Sequence, residues 1–512
     1  LSDQVAPSAV IEGPRRTLIT ASIMLSSLMQ SLDGTIANVA LPHIQGSVSA
    51  TQDQISWVLT SYIIAVAIMT PLSGWLAGKI GRKRVFLFSV AGFTIASMLC
   101  GLAQSLSQIV LARLLQGICG AALVPLSQAT LLDINPPSRH ARAMAVWVMG
   151  VTIGPILGPA LGGWLTESYN WRWVFYINVP FGVLAFLGVL SSMPENPTHR
   201  SRFDFFGFTT LSIAVGSTQL MLDRGQIKDW FTSPEICIEA AVAAIGLYLF
   251  IVHMLTGRRQ RFVSPALFTD WNFIAGNIFI FVTGAALFSS LALQPPLLQS
   301  LLNYPVVTAG LVTAPRGIGG LIAILALGRI GDKIDGRLLI AAGFAITACA
   351  LWQMTHFDLQ MGTSSVVWSG FLQGVGSGMV FAPLSAATFA TLRPALRNEG
   401  TAIFALLRNL GSSIGISAVE TLLTRNTQIM HATLAEHVNH FSTALRTQLT
   451  GTAPSGRTLA QLNATVTQQA AMIAYNDDFK LLMVLSIAVI PLVFLLRKVG
   501  RRPTPAEQVA ME

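Results

Sequence analysis

Stretches of about twenty apolar residues recur along this chain, and a stretch of that length, coiled as a helix, reaches across the hydrocarbon core of a bilayer. The runs cover 17–40, 54–77, 85–104, 108–132, 141–165, 173–192, 205–222, 235–256, 272–294, 306–328, 338–356, 365–391, 401–424 and 478–497. Only 11% of the residues are charged, where a water-soluble protein carries about a quarter, so most of the surface must face lipid. The 43 glycines suit helices that approach one another through small residues. These features predict an all-α integral membrane protein with fourteen transmembrane helices.

The net charge of +9 is spread in short clusters between the runs, which argues against a nucleic-acid surface. Cys100, Cys119, Cys237 and Cys349 fall in or at the ends of runs, with no paired or metal-ligand spacing. His431, His437 and His440 form only a loose group, so neither metal nor cofactor is expected. The first run is too long for a cleavable signal peptide and lacks a small-residue cleavage site.

Lys and Arg fall on alternate connections: Arg15 and Arg16, Lys79 to Arg84, Arg139 and Arg142, Arg200 and Arg202, Arg258 to Arg261, Arg329 to Arg337, Arg393 and Arg397, and Arg497 to Arg502. Loops 41–53, 105–107, 295–305 and 357–364 hold none. Basic connections stay cytoplasmic, which puts both termini, 1–16 and 498–512, on the cytoplasmic side. On the other side, 425–477 forms a long polar connection with two weakly amphipathic stretches, read as a flexible loop or a docking surface.

The two ends of the chain echo one another. "GWLAGKIGRKRV" (74–85) matches "GRIGDKIDGRLL" (328–339), and "RLLQGICGAALVPLS" (113–127) matches "GFLQGVGSGMVFAPLS" (370–385). Repeated halves with a site between them are a common transporter plan. The halves are expected at 17–192 and 265–497, six helices each, with 193–264 as a linker and an inserted two-helix hairpin.

With these motifs in order, the chain resembles the major facilitator superfamily, and within it the fourteen-span drug:proton antiporters of the EmrB type. "LDGTIANVALP" (32–42) resembles that group's first-span signature, and "GWLAGKIGRKR" the superfamily's loop motif, here Gly74, Gly78, Gly81, Arg82 and Lys83. "RLLQG" resembles the fourth-span motif, and "GVTIGPILGPALGGW" (150–164) the antiporter motif, here Gly150, Gly154, Pro155, Gly158 and Gly162. "WRWVFYINVPFG" (171–182) and "LDRGQIKDWF" (222–231) are further group signatures. Two departures stand out. Gly78 replaces the loop motif's usual aspartate, while Asp332 fills the corresponding place in the second half, and Gly370 replaces Arg113 there. The resemblance implies proton-driven export of hydrophobic or amphipathic drugs from a Gram-negative inner membrane. It also implies a periplasmic adaptor (an EmrA-like membrane fusion protein) and an outer-membrane channel (TolC-like).

A charge inside a membrane is costly and usually functional. Asp33 and Arg113 each lie roughly 10 Å from the non-basic end of their spans at 1.5 Å per residue, so they are expected to pair. A carboxylate held between a cation's pull and desolvation can load and release a proton, which makes Asp33 the proton-coupling candidate and Arg113 its tuner. Glu420 is a second protonation candidate. Arg316 and Arg408 are candidates for holding an anionic substrate group, with Gln30, Asn38, Gln116, Gln128 and Gln373 as neutral cavity residues. The four-residue glycine stripe predicts either ordinary helix packing or a tight seal between the halves. A proton-coupled symporter on the same scaffold is the nearest rival. A membrane enzyme lacks any HExxH, GxSxG or Walker motif, and a channel fits repeated halves poorly.

Overall fold

The computed structural model describes residues 13–136, 139–195, 198, 202–257, 261–330, 334–437 and 456–497. Helix dominates, with no strand among the described residues. The first half comprises α1 (Pro14–Ser47), α2 (Trp57–Ile80), α3 (Arg82–Leu102), α4 (Leu106–Gly120 continued as Leu123–Ile134), α5 (His140–Ser168) and α6 (Trp173–Tyr176 continued as Asn178–Ser192). Then come α7 (Phe205–Arg224) and α8 (Pro234–Thr256). The second half holds α9 (Trp271–Pro296), α10 (Val306–Ile330), α11 (Gly336–Met354), α12 (Thr363–Phe389), α13 (Arg397–His437) and α14 (Gly456–Leu492).

Eleven helices among the described residues are long and apolar enough to cross a membrane. The exceptions, α1, α5 and α12, carry much of the serine, glycine and glutamine. In α1 these include Ser22, Ser26, Ser27 and Gln30, all buried. Their polarity belongs to helices enclosed by other helices, which need not be hydrophobic all round.

Proline accounts for the interruptions. A proline at position i removes the bond to the carbonyl four residues earlier, and Pro125 and Pro180 sit four residues after Ala121 and Tyr176, where α4 and α6 break. Pro295 and Pro296 end α9 in a π turn over Leu297–Leu301. Gly81, at φ 92°, makes the sharp corner between α2 and α3, a conformation that strains any residue with a Cβ.

The sequence repeat reappears as a repeat of contacts. Helix α1 packs on α5, α2 on α4, and α3 on α4 and α6; likewise α9 packs on α13, α10 on α12, and α11 on α12 and α14. The halves meet where α5 contacts α10 and α12, and where α13 contacts α2 and α4. Helix α7 packs on α2 and α13, and α8 leans on α7 with Ile238, Ile245, Tyr248 and Leu255 exposed. Asp204 starts α7 by accepting the Gly207 N–H (2.9 Å) and ties in α8 through His253 (2.8 Å).

Two expectations change. The connection 425–477 is no loop over its described residues, because α13 continues through His437 and α14 begins at Gly456. Both amphipathic stretches are helix, joined by His431 and Asn463 (3.0 Å), and residues 438–455 lie outside the description. The glycine stripe of α5 is not the seal between halves. It faces α1 of its own half: a Cβ on Gly154 would stand 2.6 Å from the Leu32 nitrogen, and one on Gly162 2.9 Å from Ile36 Cγ1. The opposite face of α5 meets the second half, with Thr152 beside Gly320.

Because Gly154 meets backbone rather than a movable side chain, Gly154→Ala should push α1 and α5 apart. The expected loss is about 1–3 kcal/mol, read as a lower melting temperature of the detergent-solubilised protein, with Gly78→Ala, whose Cβ would meet open space, as the unaffected control.

Candidate functional site

Asp33 and Arg113 come together in the first half, both 0% exposed, with Arg113 Nη1 2.6 Å from Asp33 Oδ2. Gln116 Nε2 (2.9 Å) and Asn178 Nδ2 (2.8 Å) both donate to Asp33 Oδ1. Arg113 also donates to Gln116 Oε1 (2.8 Å) and the Val58 carbonyl (3.2 Å), and its guanidinium lies 4.4 Å from the centre of the Tyr62 ring. Asn178 donates as well to Ser97 Oγ (3.0 Å). Thus α1, α2, α4 and α6 each supply a group to one buried ion pair, and Ser97 of α3 holds Asn178 in place. Removing one partner of such a pair leaves an uncompensated charge, at a cost of about 3–5 kcal/mol. Asn178 and Ser97 escaped the sequence reading; the available signal was Asn178 two residues before Pro180, at a helix break inside an apolar run.

The second half has the same frame and different chemistry. Gly117 packs on the Tyr62 carbonyl, and its counterpart Gly374 packs on the Arg316 carbonyl. Arg316 therefore stands where the first half has Tyr62. Gln373, the counterpart of Gln116, donates to Ser290 Oγ (2.6 Å) where Gln116 meets Asp33. The Arg316 guanidinium reaches only neutral acceptors: Ser290 Oγ (3.0 Å), the Leu287 carbonyl (3.2 Å) and Gln294 Oε1 (3.3 Å).

Between the halves lies a cavity of about 160 Å³. Ser31, Trp147, Thr152 and Pro155 line it from the first half, and Leu287, Phe381, Arg316 and Arg408 are among its lining from the second. Arg408 makes one long bond, to Asn409 Oδ1 (3.4 Å), and its Nε is buried without a partner. Among the described residues no carboxylate reaches either arginine. The other cavity candidates are elsewhere. Gln30, on the Asp33 side of α1, lies beside Tyr62, and Gln116 and Gln373 are spent on the polar clusters above. Gln128 is fully enclosed in α4 with neither amide atom bonded, and Asn38 is exposed about 140° around α1 from Asp33. Glu420 is remote from Asp33, on α13 beside Asp223 of α7.

The end of the bundle with the basic connections is sealed across the halves. Arg82 Nη2 (2.7 Å) and Arg397 Nη1 (2.6 Å) both hold Asp133, at the end of α4. Arg82 also donates to Asn398 Oδ1 (2.7 Å). Gly74 lets α2 touch the start of α13, where an added Cβ would lie 3.0 Å from the Asn398 carbonyl. The carboxylate of this latch is Asp133, which the sequence reading passed over. Gly78 itself faces open space, Lys83 is half-buried, and Asp332 lies outside the described residues. Phe273, Phe389 and Phe404 pack beneath this latch, Phe389 and Phe404 at 5.1 Å between ring centres.

Two repeated helical halves, a cavity between them and a latch across one end define a membrane transporter. Residues 23–416 match the family model of the Major Facilitator Superfamily, and the chain belongs to that superfamily. It is 37% identical over 491 residues to the fatty acid resistance protein FarB of Neisseria gonorrhoeae, covering 95% of this chain and 97% of that one. It is 38% identical over 479 residues to the multidrug export protein EmrB of Escherichia coli K12, covering 92% and 93%. In fold it is similar to the human organic anion transporter MFSD10 (TETRAN), with a TM-score of 0.59 at 14% identity over 93% of this chain and 100% of that one.

Asp133→Asn should loosen the latch, because it removes the charge that two arginines share. Spin labels on α3 and α13 at this end should show a longer-distance population that wild type lacks; an unchanged distance distribution would mean that the aromatic packing alone holds the end shut.

Proposed function

We propose that this protein is a proton-driven exporter of hydrophobic and amphipathic compounds, working by alternating access. Asp33 carries the coupled proton, and the observation that carries this reading is the complete burial of the Asp33–Arg113 pair. An ion pair kept dry in a membrane at such cost is rarely idle. Ser31 faces the cavity while Asp33, about 200° further around α1, faces Arg113. A proton on Asp33 frees Arg113 and alters how α1 packs, and α1 transmits that change to the cavity. The glycine stripe of α5 gives α1 a smooth bed on which to shift. The relatives named for multidrug export and fatty acid resistance support this direction and substrate range.

In the same reading the chain crosses a bacterial inner membrane fourteen times with both termini cytoplasmic, so the latched end faces the cytoplasm. Its halves are 17–192 and 265–497, and 193–264 is the inserted hairpin. Arg316 and Arg408 neutralise an acidic group on the cargo. The helical extension of α13 and α14 points away from the latched end and meets a periplasmic adaptor, which passes cargo to an outer-membrane channel.

Uphill export in proteoliposomes, counted per correctly folded molecule, tests the coupling. Asp33→Asn should bind cargo but not concentrate it, and Asp33→Glu should keep part of the activity with a shifted pH profile. Undiminished uphill export by folded Asp33→Asn defeats the proposal. Arg316→Gln should weaken binding of a carboxylated amphipath about tenfold, the value of one charged hydrogen bond, and leave its neutral ester unaffected.

A further inference from the structure

Helix α14 carries a carboxylate that the mechanism above does not use. Asp478 is 1% exposed, its Oδ2 is buried without a hydrogen-bond partner, and no ion pair or hydrogen bond joins it among the described residues. Tyr475, three residues before it, and Leu482, four after, share its face of the helix. Both belong to an apolar cluster with Leu351, Met354, Phe357, Val419 and Phe479.

Among the described residues no cation of the surrounding helices pairs with it: on α13, Arg408 lines the central cavity and Arg425 is exposed. Along α9 and its π turn there is no charged residue, and the single one on α11, Arg337, lies at its far end. On α14 itself, Asp477 and Lys480 are exposed, facing away. From α13 it is Val419 that packs into this cluster; the neighbouring Glu420 is exposed, beside Asp223 of α7, and Tyr475 lies within electrostatic reach of both Asp478 and Glu420. His356 and Asp358, just beyond α11, are exposed. Among the described residues the charges that act on Asp478 and Tyr475 are carboxylates, and the packing around them is the apolar cluster.

An ionised carboxylate in such a place has neither partner nor solvent, so Asp478 must be held as the neutral acid. Contrast Asp33, which has an arginine and two amide donors to support its charge. Asp478 lies roughly 28 Å along α14 from Arg497, and Asp33 roughly 26 Å along α1 from Arg16, at 1.5 Å per residue. The two carboxylates thus stand at similar depth in opposite halves. The repeat that aligns Gly74 with Gly328 carries Ser97, beside Asn178, onto Leu351, beside Phe479. The second half lacks these donors, and its buried carboxyl group stands on α14 rather than on α9.

We propose that Asp478 is a second proton-binding residue of the pump. Its Oδ2 holds a proton in the latched state. The proton arrives from the non-basic side past Glu420 and Tyr475. It leaves to water on the latched side when the halves exchange access, so the O–H bond broken at Asp478 ends as one proton in the aqueous phase. The inference rests on proton-driven export, and the test separates the two.

The direct measurement is the infrared carbonyl band of protonated carboxyl groups in detergent-solubilised wild type at neutral pH, sensitive to deuteration. Asp478→Asn should remove one such band. In proteoliposomes with the impermeant amphipathic dye 1-anilinonaphthalene-8-sulfonate as cargo, Asp478→Asn should still exchange dye for dye but move one proton fewer per dye than wild type. Asp478→Glu should restore the count at a shifted pH. An Asp478→Asn spectrum and proton count equal to wild type overturn the proposal and leave the acid a passive filler. If Asp478→Asn does not insert, the same two readings on Asp478→Glu decide, since a moved band and pH profile support the proposal and unmoved ones overturn it. A wild type that moves dye with no proton at all would instead defeat proton-driven export itself.

Discussion

One buried ion pair organises the first half of this molecule. Asp33 and Arg113 are far from water, and a lone carboxylate at membrane depth costs about 2.5–3.5 kcal/mol even on lenient scales. The surrounding helices offset that cost with specific groups: the amides of Gln116 and Asn178, the Val58 carbonyl and the Tyr62 ring. They come from α2, α4 and α6, so the pair fixes how these helices sit against α1. Any event that neutralises Asp33 removes the reason for the arrangement. Protonation is the simplest such event, which is why the proposed coupling is placed at this pair.

The second half shows what the repeat can discard. Ser290 replaces the carboxylate, Gly370 replaces the fourth-span arginine, and Arg316 brings a guanidinium in from α10 instead. With no carboxylate to satisfy it among the described residues, Arg316 turns its charge toward the cavity that Arg408 shares. The first half therefore keeps its charges to itself, and the second presents them to the cavity between the halves. Helix α1 links the two regions, with the ion pair on one face and the cavity on the other. At the basic end, Asp133 binds arginines from both halves and closes the way through.

Much of this was legible in the sequence because lipid leaves few choices. Apolar length located the helices, and the echo of 74–85 in 328–339 located the halves. The depth argument brought Asp33 to Arg113, since two charges at one level in one half have little else to meet. Helix rotation was not legible. Asn38 and Gln128 read as polar in an apolar run, yet one is exposed and the other enclosed away from the cavity, and only packing decides between those outcomes. The glycine stripe of α5 showed a close approach without showing to which neighbour. Asp133 and Asp478 were missed for a similar reason. Each lies at the edge of a run, where a carboxylate looks solvated until the tertiary structure closes over it. The polar composition of 425–477 read as a loop because helices that extend beyond the membrane lose the apolar signal.

The central claim is that Asp33 exchanges a proton as cargo binds. Wild-type protein in weakly buffered detergent solution, mixed with a saturating amphipathic substrate across a series of pH values, should release protons measurable with a pH indicator. Asp33→Asn, binding the same substrate, should release at least one proton fewer at the pH where wild type responds most. Equal release from the two proteins would contradict the account.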